Sequence, residues 1–177
     1  MHQQTSRHLL WLCLALLCPF FSCIDDEKEE ETGTIELQIG DALPDFQVTM
    51  SDSTVVRTED LRGQVSLIVF FHTQCPDCQA EFPILQRLYE ECPYPFRMVS
   101  ISRKESAASI QQYWKENGWT FPYSAQNDAR IYHLFASSRI PRIYVSDEHC
   151  IIQAIYTDAP IATYEELLKD IRNNLKK

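Results

Sequence analysis

Two cysteines three residues apart, in Cys75-Pro76-Asp77-Cys78, are the stretch of this sequence best suited to chemistry. A thiol pair at that spacing on the first turn of a helix can close a small disulfide ring and exchange it with a partner. The apolar run Val65–Phe71 before it reads as a buried strand, and Gln79–Tyr89 after it reads as an amphipathic helix. A strand that turns directly into a helix here places the first sulfur at the helix N-terminus. Unsatisfied N–H groups and the positive end of the helix dipole favour a thiolate there. Cys75 is therefore the expected nucleophile, and Cys78, one turn inside, the resolving thiol. The competing reading is half of a zinc site, but no second C-x-x-C, nor a Cys/His pair at that ligand spacing, follows downstream. Redox chemistry is favoured, with neither metal nor cofactor expected.

The rest of the chain must carry and position this pair. Residues 1–22 read as an export signal: Arg7 supplies a positive charge, and Leu9–Phe21 is nearly all apolar but short for a membrane span. Ser22-Cys23 resembles the end of a bacterial lipoprotein signal, which makes Cys23 the expected lipidation site. Phe20 and Phe21 depart from the usual pattern there. Of the seven cysteines, Cys13 and Cys18 fall in the removed segment and Cys23 would carry the lipid, which leaves Cys75, Cys78, Cys92 and Cys150. Residues 23–40 form a tether, with the like-charge block Asp25–Glu31 too acidic to bury anything. The expected location is the envelope of a Gram-negative-type bacterium, anchored by lipid and facing the periplasm, with surface display as the alternative. Sixteen basic against 25 acidic residues, a net charge of −9, exclude a nucleic-acid partner held through phosphates.

Residues 41–177 read as one domain. Asp45–Met50 and Val55–Arg57 form a hairpin around Ser51–Thr54, and Thr58–Gly63 is a helical turn stopped by glycine. The helix after the cysteines runs to Glu91 with Pro83 inside it. Arg97–Ser102 is the next strand, and Ser106–Asn117 a helix ended by Gly118. A short extended piece, Phe121–Tyr123, precedes a small helix over Ala129–Phe135. Arg142–Val145 and Cys150–Tyr156 pair antiparallel, and Thr163 caps a final helix. The expected fold is α/β, a mixed central sheet with helices on both faces and an N-terminal hairpin.

These residues resemble the TlpA/ResA-type thiol–disulfide oxidoreductases, a thioredoxin-fold family. The likeness rests on Cys75–Cys78 with Gln79-Ala80-Glu81-Phe82-Pro83, on Leu43-Pro44-Asp45-Phe46, on Asp60-Leu61-Arg62-Gly63 and on Lys115–Pro122. Arg139-Ile140-Pro141 sits where the family carries its cis-proline, after an extra helical segment. The resemblance implies that the Ile140 backbone binds an extended partner segment beside Pro141. It also implies exported disulfide-containing protein substrates, such as apocytochromes, and an upstream electron donor.

Two positions depart from the family. Gln74 stands where many relatives have tryptophan, and Val69 stands where thioredoxins carry a buried acid. Proton transfer to Cys78 must then use another group, with Glu81 and His72 the nearby candidates. His72 could instead be a structural histidine. Pro76 and Asp77 tune the motif, and Asp77's charge beside the thiols points to a reducing couple, nearer roughly −270 mV than roughly −120 mV. A peroxiredoxin-like peroxidase and a non-enzymatic binding lipoprotein are the alternatives. Cys92 and Cys150 are expected as small buried residues at the pole away from Cys75.

Overall fold

The computed structural model describes residues 36–175. The expected signal, the lipidation site Cys23 and most of the acidic tether lie outside them. Leu37–Gly40, which the composition assigns to the tether's end, pack on the domain: Leu37 N–H donates to Phe135 C=O and Gly40 N–H to Ile152 C=O.

A hairpin opens the fold, with β1 (Gln47–Thr49) and β2 (Val55–Arg57) paired antiparallel as a separate two-stranded sheet. A 3₁₀ turn over Thr58–Leu61 leads to β3 (Ser66–Phe71), all six of whose residues are buried. A strand without alternation needs cover on both faces, and β3 has it. The catalytic helix α1 (Pro76–Glu91) follows, then β4 (Arg97–Ser102) and α2 (Ala107–Asn117). The two-residue β5 (Tyr123–Ser124), β6 (Arg142–Ser146), β7 (Ile152–Tyr156) and α3 (Tyr164–Asn173) complete the domain.

The five-stranded sheet has the order β5-β4-β3-β6-β7. β3 runs parallel to β4, and β4 to β5, whereas β6 is antiparallel to both β3 and β7. The alternate side chains of β3 feed two separate cores. Leu67, Val69 and Phe71 pack with Phe82, Leu85 and Leu88 of α1, Ile110 and Trp114 of α2, and Leu167 and Ile171 of α3. Ile68 and Phe70 face the hairpin, Leu61, Tyr132 and Phe135 on the other side. Among the described residues, α1, α2 and α3 thus share one face, and the helical cover of the second face is 3₁₀.

Most helix ends follow their sequence signals. The Ser106 hydroxyl accepts from Ser109 N–H at 3.2 Å, Gly118 takes the left-handed conformation at φ 72°, and Thr163 with Glu166 forms a capping box. Three details differ from expectation. The small helix over Ala129–Phe135 contracts to a 3₁₀ turn at Tyr132–Leu134, because it is too short to build an α-helical ladder. The extended piece near Tyr123 is the edge strand of the sheet. Cys150 lies outside β7, in a turn at φ 63°.

Candidate active site

Cys75 is the N-cap of α1, in extended conformation, and Pro76 takes the first helical position, where its missing N–H costs nothing. The Cys75 N–H donates to His72 C=O at 3.0 Å, and Gln79 N–H donates to Cys75 C=O at 3.0 Å, so backbone bonds fix the turn on both sides. The Cys75 sulfur is half-buried and points across the site, donating to the Ile140 carbonyl at 3.6 Å. The Ile140–Pro141 bond is cis, as the resemblance implied. A second cis bond, Ala159–Pro160, had no sequence signal. All four cysteines of the domain are free thiols.

Cys78 is fully buried. Burial pushes its thiol pKa up strongly, the His72 backbone opposes this, and Cys75 and Glu81 raise it further. One helical turn further along, Glu81 is 1 % exposed, and neither carboxyl oxygen has a hydrogen-bond partner of ordinary geometry. Loss of hydration carries its pKa from 4.5 up to about 8, with only the Ala162 backbone pulling it down. The site therefore stacks an accessible thiol, a buried protonated thiol and a buried acid that titrates near neutral pH. That gradient suits a nucleophile backed by a resolving thiol and its proton acceptor.

His72 is turned to other partners. Its Nδ1 accepts from Gln74 N–H at 3.1 Å and lies 3.8 Å from Glu105 Oε2. Asp77 is exposed on the first turn of α1. Cys92 and Cys150 fall in the cores on opposite faces of the sheet, Cys150 fully buried and Cys92 half-buried.

Glu105 is the site-building residue that sequence reasoning missed. It is buried beneath the loop between β3 and α1, where Oε2 accepts from Thr73 N–H at 2.9 Å and Oε1 accepts from the Thr73 hydroxyl. Gln79 then closes the same loop, its Nε2 donating to Thr73 C=O at 2.7 Å. In the sequence Glu105 is only a polar residue before a helix cap. The parallel pairing of β3 with β4 brings it under Thr73. Glu105→Ala would strand a buried N–H and a hydroxyl. It is expected to lower the unfolding free energy by about 2–4 kcal/mol in urea titrations of the reduced protein.

A strand-to-helix dithiol set against the carbonyl that precedes a cis-proline, on this sheet, defines a thioredoxin-fold thiol–disulfide oxidoreductase. The chain belongs to the AhpC/TSA family, whose model matches residues 39–155, and within it is of the TlpA/ResA type. It is 29% identical over 140 residues to the thiol-disulfide oxidoreductase ResA of Oceanobacillus iheyensis, covering 76% of this chain and 73% of that protein. Among solved structures, a candidate protein disulfide isomerase from Bacteroides thetaiotaomicron superposes with a TM-score of 0.72 at 25% identity, over 81% of this chain and 94% of that one. StoA from Bacillus subtilis shares the fold with a TM-score of 0.62 at 20% identity, over 72% and 96% of the two chains.

Proposed function

We propose that the protein reduces disulfides of exported proteins through Cys75 and Cys78, while held to a membrane by lipid on Cys23. The observation that carries this reading is the Cys75 sulfur at the helix N-cap, 3.6 Å from the Ile140 carbonyl with Cys78 buried behind it. An extended partner chain pairs with the Ile140 backbone, which brings its disulfide to Cys75.

The Cys75 thiolate attacks one partner sulfur, forming a mixed disulfide as the partner's other sulfur leaves and takes a proton. Cys78 passes its proton to the Glu81 carboxylate and attacks the Cys75 sulfur. The bond between Cys75 and the partner breaks, and the partner's second thiol departs. Two electrons have moved to the partner, leaving a Cys75–Cys78 disulfide for an upstream dithiol donor to reduce. Cys75 must be reached by a large partner, and Cys78 only by Cys75, which matches their unequal exposure. The signal-like run that ends at Cys23 and the acidic stretch behind it are what support the tethered, periplasm-facing part of this reading.

The reduction potential of the pair tests the direction. Equilibration in thiol/disulfide buffers, with free thiols trapped by a mass tag, is expected to give a two-thiol transition below about −230 mV. A value near −120 mV would make the protein an oxidant instead. The absence of any reversible Cys75–Cys78 disulfide would end this reading.

A further inference from the structure

Arg142 directly follows Pro141, and only 6 % of the residue is exposed. A buried guanidinium is costly unless its charge and its donors are met. Here they are met by the loop that leads into the site. Nε and Nη2 both donate to the Ser138 carbonyl, at 3.1 and 2.9 Å, and Nη1 pairs with Glu36 Oε1. The second Glu36 oxygen accepts from Ser137 N–H at 3.4 Å. The Tyr132 hydroxyl donates to the Arg139 carbonyl at 2.6 Å, and the Arg103 guanidinium lies 4.6 Å above the Tyr132 ring.

Three successive residues are thus each gripped by a side chain before the chain reaches Ile140. Arg139 has φ 69°, a left-handed conformation that costs an ordinary residue about 1–2 kcal/mol. Such a conformation persists where surrounding contacts over-determine it. What the grip determines is the position of the Ile140 carbonyl, the group facing the Cys75 sulfur.

We propose that Glu36 and Arg142 are positioning residues for the partner-binding loop, so that the end of the acidic tether latches the backbone which receives a polypeptide substrate. This rests on the reading that the Ile140 backbone pairs with the partner. Neither side chain touches the thiols, so their contribution falls on polypeptide binding, while the attack of Cys75 on a disulfide too small to pair with backbone depends on it far less.

The test uses the full chain and its Glu36→Gln, Arg142→Lys and Arg142→Gln variants in single-turnover reduction of two probes. One is a disulfide-bonded peptide with extended flanks, and the other is a small aromatic disulfide. Glu36→Gln is expected to raise the half-saturating peptide concentration about tenfold, with less than about twofold change in the maximal rate. The rate with the small disulfide should likewise change less than about twofold. Arg142→Lys, which keeps the charge but loses the forked donors, should fall between wild type and Arg142→Gln. Should Arg142→Gln fail to fold, Glu36→Gln still decides, since Glu36 is partly exposed. Unchanged peptide saturation in Glu36→Gln, or an equal loss on both probes, would overturn the latch. If the wild-type protein itself shows no advantage for the peptide, the Ile140 reading fails first and the latch falls with it.

Discussion

Cys75→Ser is expected to reduce exchange with any disulfide substrate to background, a loss of at least about a thousandfold. Cys78→Ser is expected to do something different. Its Cys75 still attacks, but the mixed disulfide has no internal thiol to resolve it, so the partner stays covalently attached. Non-reducing gels of cells carrying Cys78→Ser, followed by mass spectrometry, should show adducts that vanish on reduction and are missing when Cys75 is also replaced. The burial difference gives the reason: Cys75 is half-buried at the helix N-cap, while Cys78 is fully buried one turn inside. Should Cys75→Ser retain normal function in cells, the protein would be a binding module that keeps its thiols for no redox purpose.

Glu81→Gln carries the second large effect, and it acts on rate and stability with distinct pH signatures. Without a carboxylate to take the Cys78 proton, release of the mixed disulfide at neutral pH should slow by about 10²–10⁴. Initial attack by Cys75 should change little, which rapid-quench separation of the two steps would show. For stability the sign follows from the raised pKa, carried by burial from 4.5 to about 8. The unfolded chain gives up this proton before the folded one does. The stabilisation linked to the protonated acid is therefore fully present below about pH 4.5, shrinks as pH rises, and is lost as pH passes through about 8. Glu81→Gln should flatten that decline, with the variant gaining on the wild type as pH rises from about 5 to about 9 in urea titrations. If the wild type instead showed the same pH dependence as the variant across this window, burial would not be raising the Glu81 pKa.

How much of this could be read from the chain depends on how far each feature reaches. The strand into Cys75, the helix out of it, the caps at Ser106 and Thr163 and the stop at Gly118 are local patterns. All were legible from periodicity and end signals alone. The proline opposite the thiols was legible only through resemblance. Glu81 stood out as a titratable residue near Cys78, but its spacing could not show that both oxygens would lack a partner of ordinary geometry. Glu105 was invisible because its bonds to Thr73 span 32 residues, and Glu36 more so, since it meets Ser137 across 101. The stretch over Ala129–Phe135 carried a helical pattern too brief to decide between an α-helix and a 3₁₀ turn.

The two rims of the sheet behave differently from its centre. Beside β7, Gly40 donates to Ile152, Ile152 donates to Asp41, and Leu43 donates to Cys150. Beside β5, Ser51 N–H donates to Tyr123 C=O, and the Ser124 hydroxyl donates to Thr49 C=O. Both margins are therefore partly occupied by the chain's own N-terminal residues. An unprotected margin invites a neighbouring molecule to add its backbone and begin a fibre. A protein crowded onto a two-dimensional surface by a lipid would meet that hazard at high local concentration. Partial cover of both margins lowers that hazard and, on the proposed reading, leaves the Ile140 backbone as the place where a foreign strand gains most by pairing.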